Sequence, residues 1–258
     1  MNAADLPPLP SFDAYFAALH DRPPFPWQRR LAAQVLAAPG DAERCGWPAV
    51  LDLPTGVGKT AVLDIALYCV AAAPERMPRR IVLVVDRRVV VDQGKERAIA
   101  ILERLCRPAS EPLSAIAERL RRLCTDAVAD EGAPFRVAVM RGGMPRDNDW
   151  ARRPDQVVVG VSTVDQLGSR LLFRGYGIGA RSASIHAGLV GNDTLVFLDE
   201  VHLSEPFAET LAAISQHYRE ARAGLPRRFA VVQMSATARL STAPAQAFCL
   251  AADDRADG

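Results

Sequence analysis

Six short, almost continuously apolar runs punctuate the chain: Ala49 to Leu53, Ile81 to Val85, Arg136 to Met140, Val157 to Val161, Leu195 to Leu198 and Ala230 to Met234. Runs of this length without alternation fit strands covered on both faces. Between them, apolar residues recur at helical spacing from Ala61 to Ala72, Ala98 to Arg107 and Leu113 to Ala129. Strand and helix signals in turn predict an α/β domain with a mainly parallel sheet and helices on both faces. Ahead of it the pattern predicts a helix over Phe12 to His20, a proline-rich turn from Asp21 to Pro26 and a second helix from about Trp27. The expected organisation is a helical extension at 1–24, one α/β domain at 25–245 and a tail at 246–258. No internal repeat breaks that plan, and Gly175, Gly177 and Gly179 follow no strand, so they read as loop.

The 258 residues suffice for a sizeable core, and a composition 49% hydrophobic and 24% charged excludes disordered and collagen-like classes. Lys and Arg total 31 against 30 Asp and Glu. Bulk charge therefore supplies no attraction to nucleic acid, and any such contact must be local. The cluster Arg119, Arg121 and Arg122 reads more readily as a solvated helix face than as such a contact. Five dispersed cysteines without a C-x-x-C pair argue against a disulfide framework or a zinc site. With no membrane-length apolar run and no secretory leader pattern, the expectation is a reducing, cytoplasmic setting and no membrane partner.

Leu51 to Thr60 reads LDLPTGVGKT, between a strand and an alanine-rich helix. A phosphate chain is wrapped by backbone N–H groups at a helix N-terminus, and glycines let the backbone approach it. Pro54, Thr55, Gly56, Val57, Gly58, Lys59 and Thr60 form the candidate phosphate loop of a P-loop NTPase, Lys59 reaching the β- and γ-phosphates of ATP and Thr60 offering its hydroxyl to magnesium (Mg2+). The generic signature wants glycine where Leu53 stands, so it is met only in part. Thr194 to His202 reads TLVFLDEVH, an apolar strand delivering two adjacent carboxylates at its C-terminal end, where ligands of open α/β sheets bind. Asp199 suits a magnesium partner and Glu200 a base that orients and deprotonates the attacking water.

Further along, Gln233 to Ala238 reads QMSATA at the end of the last strand candidate. Its resemblance to motif III of superfamily-two helicases implies that Ser235 and Thr237 couple hydrolysis to movement, and His202, which closes a DEVH resembling motif II, is read as a coupling residue in preference to a packed histidine. Gln28 has an amide able to read adenine, or is simply a surface residue of its helix. VDRRVVVDQ, RGG and STVDQ follow the second, third and fourth strand candidates. Arg87, Arg88, Gln93, Gly142, Gly143, Thr163 and Gln166 are the candidate contacts to a nucleic-acid backbone, being cations, amide or hydroxyl donors, or glycines that permit close approach.

PTGVGKT behind a non-glycine residue resembles motif I of superfamily-two helicases, DEVH resembles motif II of the DEAD/DEAH-box class, and SAT resembles motif III. The set PTGVGKT, VDRRVVVDQ, RGG, STVDQLGSRLLFRGYG and LVFLDEVHLSEPF is similar to the helicase part of the CRISPR-associated helicase-nuclease of type I interference systems, across roughly Phe25 to Ala238. The resemblance implies a RecA-like motor domain that uses ATP and magnesium to pull single-stranded DNA, recruited by a guide-RNA surveillance complex and working with an HD nuclease domain or subunit. Two parts of that pattern are missing. The four histidines do not form HD ligands, and His20 next to Asp21 reads as chance. The sequence runs 21 residues past Thr237, too few for a second RecA-like domain, so a fragment or half of a split motor is expected. Two alternatives stand beside this reading: a nucleotide-binding module without turnover that docks a partner, and a restriction or repair translocase of the same superfamily.

Overall fold

The computed structural model describes residues 6–39, 43–86, 88–124, 132–142, 148–200, 204–220, 229–235, 247–251 and 254. Helices α1 (Phe12–His20) and α2 (Pro26–Ala37) precede β1 (Val50–Asp52) and α3 (Val62–Ala72). They are followed by β2 (Arg80–Val85), α4 (Arg88–Cys106), α5 (Glu111–Arg121), β3 (Arg136–Met140), β4 (Val158–Thr163), α6 (Val164–Leu171) and α7 (Ala180–Gly191). The order closes with β5 (Thr194–Asp199), α8 (Glu205–Glu220), β6 (Phe229–Ser235) and β7 (Ala247–Cys249). The seven strands form one sheet in the order β3-β4-β2-β5-β6-β1-β7, and every pairing is parallel.

Strand side chains alternate between two apolar cores, which is why the runs look continuous in sequence. Ile81, Leu83, Val85, Val159, Val161, Leu195, Phe197, Ala230 and Val232 pack with residues of α1 to α5 on one face. Val82, Val84, Ala138, Met140, Val196 and Leu198 pack with α6, α7, α8 and Trp150 on the other. The central strands β2, β4 and β5 bury both rows of side chains almost throughout, so neither row is left for polar residues, while β3 and β7 at the edges are partly exposed. At the N-terminal edge the buried Arg80 is a strut. Its guanidinium donates to the carbonyls of Asn192 and Pro154 and pairs with Asp193, tying β2 to the entries of β4 and β5.

Several elements depart from the sequence expectation. The helix expected from Ala98 begins ten residues earlier, at Arg88, despite the β-branched run at its start, because Val91 and the helical row after it bury against the sheet. The helix expected to end at Ala129 stops at Arg121, and 125–131 lie outside the described residues. Helices α6, α7 and α8 were not anticipated at all. Arg119 and Arg121 are not a solvated face: Arg119 donates to the carbonyls of Ala71 and Pro7, and Arg121 to those of Leu105 and Gly132. Only Arg122 stays at the surface, paired with Glu118 one turn earlier. Helix α1 is no detached extension, since Phe12, Tyr15, Phe16 and Leu19 join the main core. Residues 247–249, counted with the tail, form the edge strand β7 beside β1. Among the described residues no helix is long and apolar enough to cross a membrane.

Candidate functional site

Strands β5, β6 and β1 are neighbours, so their C-terminal ends stand side by side, with Asp199 opposite Met234 and Ser235 opposite Asp52. The chain leaves β1 with the Leu53 N–H bonded to the Ser235 carbonyl at 3.1 Å, and turns at once into PTGVGKT. Gly56 and Gly58 take φ values of +88° and +75°, a region that residues with a Cβ rarely adopt. A Cβ at Gly56 would meet nothing within 4 Å, so the glycine there serves the turn and leaves open space before it. Lys59–Ala61 forms a tight helical turn that runs into α3. The loop is braced from behind: the indole N–H of buried Trp27 donates to the Val57 carbonyl at 3.1 Å.

Across 141 positions of sequence, Lys59 and Glu200 meet, Nζ lying 3.4 Å from Oε1. Glu200 sits at φ +50°, a left-handed conformation that is unfavourable for a side chain of this size, and its N–H bonds the Asp199 carboxylate at 3.1 Å. The strained residue lies beside the phosphate loop, where such strain clusters in functional sites. The pKa of Asp199 is raised, first by burial and also by the Glu200 charge, against the pull of Lys59. Its folded form therefore keeps a proton at pH values where the unfolded chain has lost it, and above that range the ionised carboxylate costs stability. Asp199→Asn is expected to raise the melting temperature of the ligand-free protein at neutral pH, the gain vanishing below roughly pH 4. A melting temperature that fell at neutral pH would show the carboxylate to be a structural support instead.

The remaining sequence candidates fall into three groups. Gln28 is brought to the loop: its side-chain nitrogen lies 3.6 Å from where a Cβ on Gly58 would stand. It is buried, however, and its Oε1 accepts from the Phe25 N–H at 3.0 Å, so only its N–H donors are open. Ser235 is buried at the end of β6 between the phosphate loop strand and the Asp199 strand. Gly142 lies in the loop two residues after β3, Thr163 ends β4 buried, and Gln166 stands on the first turn of α6, all at the same sheet edge. Arg88 opens α4 after β2, whereas Gln93 lines the groove between α4 and α1 with His20, Glu96, Arg97 and Arg104, away from that edge row. Arg87, Gly143, His202 and Thr237 lie outside the described residues.

Sequence reading missed the residues that hold these groups. Arg170, buried and without a carboxylate partner among the described residues, donates from Nη1 to both the backbone and the side-chain oxygen of Gln166, at 2.9 and 2.8 Å. That contact occupies the amide oxygen and leaves the NH2 to face outward as a donor. Arg141 pairs with Asp92 at 2.7 Å and so fastens the loop after β3 to α4. The i to i+4 spacing of Gln166 and Arg170 on a helix was the available signal.

No protein-family model matches the chain, and no curated protein matches it. Solved structures do. The UvsW helicase of bacteriophage T4 is 15% identical, over 89% of this chain and 61% of that one, with a TM-score of 0.43. The yeast DEAD-box splicing factor Prp28 is 15% identical over 86% and 42%, with a TM-score of 0.50. The S. cerevisiae protein Dbp5, bound to RNA and ADP BeF3, is 15% identical over 96% and 50%, with a TM-score of 0.46. The chain thus spans between 42% and 61% of the length of these structures. Identity this low speaks to fold alone. The overlap with Prp28 and the parallel sheet order describe a RecA-like α/β fold.

Proposed function

We propose that the chain is the ATP-binding motor domain of a superfamily-two helicase or translocase, of the kind found in the CRISPR-associated type I interference helicase, coupling ATP hydrolysis to movement of single-stranded DNA. The observation that carries the reading is the meeting of Lys59 with Glu200 beside a phosphate-type loop, from opposite halves of the chain. A cation, a hydroxyl and two carboxylates converge there on a loop with open space before it, which is the donor set a nucleoside triphosphate needs. Thr60 and Asp199 offer hard oxygen donors, a fit to magnesium. Bound there, the ion neutralises charge on the β- and γ-phosphates.

In this reading the phosphates take Lys59 away from Glu200. The freed Glu200 carboxylate then accepts a proton from the water that attacks the γ-phosphorus, while the departing diphosphate oxygen takes the negative charge. Ser235 stands between the two ends of the site, placed to transmit the change in company with Thr237 and His202. Nucleic acid lies along the neighbouring edge at Gly142, Thr163 and Gln166, with Arg87, Arg88 and Gly143 as further contacts, while Gln93, in the groove between α4 and α1, stands apart from that path. The motif resemblance favours DNA over RNA, a guide-RNA surveillance complex as recruiter and an HD nuclease domain or subunit as the consumer of the strand.

Purified chain is tested for ATP binding and turnover with magnesium, with single-stranded DNA or RNA, and with Glu200→Gln. The variant should bind ATP as tightly as the parent and hydrolyse it at least about 100-fold more slowly, the range of a lost general base. Turnover at the parental rate would overturn the assignment. Binding without turnover in the parent chain is what half of a split motor would give, and turnover restored by adding a second RecA-like chain would separate that from the docking-module alternative.

A further inference from the structure

The described surface exposes five large apolar side chains, and four of them, Leu172, Phe173, Tyr176 and Ile185, belong to the α6–α7 connection and the face of α7 that follows. Phe173 and Tyr176 are 65% and 64% exposed. Around them the chain is free of acid: from Leu167 to Asn192 there is no Asp or Glu, while Arg170, Arg174 and Arg181 supply three positive charges. Arg174 and Arg181 are exposed, and neither forms an ion pair among the described residues.

The loop is built rather than slack. The Ser169 carbonyl accepts from the N–H groups of both Arg174 and Gly175 at 2.8 Å, and the Ile178 N–H closes a turn onto the Gly175 carbonyl at 2.9 Å. Gly175 takes a φ of +44°, and a Cβ there would stand 2.7 Å from Ile178 Cδ1, so a side chain at this position would be strained and would displace Ile178. Phe173 holds a φ of +61°, an outlier for a bulky aromatic, and the fold keeps it there with its ring in solvent. A non-glycine residue in that region persists only when its surroundings over-determine it, and here the strain is not repaid by burial of the ring.

Two exposed rings, three positions apart on a pinned loop, flanked by guanidinium groups without an ion pair among the described residues and in a stretch of sequence without Asp or Glu, match one ligand chemistry. A single-stranded nucleic acid offers π-faces and evenly spaced negative charge together. Helix α6 joins this loop to the sheet edge, since it starts beside Thr163 and its eight residues span roughly 12 Å. We propose that residues 172–181 form a second contact for single-stranded nucleic acid, in which Phe173 and Tyr176 stack on unpaired bases and Arg174 and Arg181 meet the flanking phosphates. It rests on the reading of the chain as a nucleic-acid motor and extends the strand's path beyond the edge loops.

The test measures fluorescence anisotropy of labelled oligothymidine and oligouridine of about 20 nucleotides, with the full chain and no ATP. Phe173→Ala combined with Tyr176→Ala should weaken binding at least about tenfold, while Tyr176→Phe keeps it, because stacking needs the ring and not the hydroxyl. Arg174→Ala and Arg181→Ala should each lower the salt slope of the affinity by about 0.7. Phe173→Gly separates contact from folding: it removes the strain and the ring, so the melting temperature should rise while affinity falls. Binding of the double aromatic variant within about twofold of the parent would overturn the stacking platform and mark the face as a protein surface. That failure is distinct from failure of the motor reading, which would show as unaltered binding of a fluorescent ATP analogue in Lys59→Ala.

Discussion

Lys59→Ala is expected to lower ATP hydrolysis at least about 100-fold, the scale seen when one preorganised electrostatic partner of a transition state is removed. Two effects act together. The phosphates lose their cation, and a charge-assisted contact of this kind contributes about 1.5–3 kcal/mol to binding, so affinity for ATP should fall by roughly tenfold or more. The acidic pair also loses its counter-charge. Lys59 holds the Asp199 pKa down against burial and the Glu200 charge, and Glu200 loses the Nζ contact at 3.4 Å. In the variant the Asp199 pKa therefore moves further up, and the acid limb of whatever activity remains should shift to higher pH. Lys59→Arg keeps the charge but presents a planar fork in place of a compact ammonium, so it should retain the position of the acid limb while losing rate. Steady-state hydrolysis across pH with all three proteins checks this. A Lys59→Ala variant within tenfold of the parent would place the nucleotide elsewhere.

The central strands were legible because β2, β4 and β5 bury two faces, which forces a nearly unbroken run of apolar residues, and the ends of the strand runs located Lys59, Asp199 and Ser235 on one edge. Helices were harder. α7 reads ARSASIHAGLVG, small and glycine-bearing, so its periodicity is weak and its packing on the sheet decides its form. α4 shows the opposite conflict, since a β-branched run chooses helix for tertiary reasons. Nothing local in the sequence distinguishes the solvated Arg122 from Arg119, whose acceptors are carbonyls 48 and 112 positions away. The same blindness hid the cluster around Asp64, whose partners lie 44 and 33 positions away. Polar residues buried by distant partners leave no pattern in the strand or helix that carries them.

Asp64→Ala should destabilise the fold strongly, although the residue lies outside the nucleotide site. Asp64 is fully buried in the first turn of α3, directly after the phosphate loop. One carboxylate oxygen meets His20 Nε2 of α1 at 2.8 Å, and the other accepts from the Arg97 guanidinium of α4, with Nε at 2.9 Å. The sequence reading set His20 beside Asp21 as a chance pair, and indeed Asp21 pairs with Arg104 while His20 turns to Asp64. Three helices on one face of the sheet thus share a single anion. Removing one partner of a buried pair costs about 3–5 kcal/mol, because the Arg97 charge is left without compensation and the His20 ring loses its hydrogen-bond partner. His20 and Arg97 side chains retain 19% and 23% exposure, so some water reaches them and the lower end applies. For a chain of this size about 3 kcal/mol corresponds to a melting temperature lower by roughly 6–12 °C. Asp64→Asn should fall almost as far, since its amide NH2 would face the Arg97 donors. Replacing all three, with His20→Leu, Asp64→Leu and Arg97→Met, should recover most of the loss, as apolar substitutes for buried ion clusters often do. Because α3 carries the phosphate loop at its head, Asp64→Ala should also weaken ATP binding, whereas the triple replacement should restore it. Thermal melts and binding measured on the same four proteins decide the matter: a triple variant less stable than Asp64→Ala would mean that the cluster is held for its charges and not for the packing of its helices.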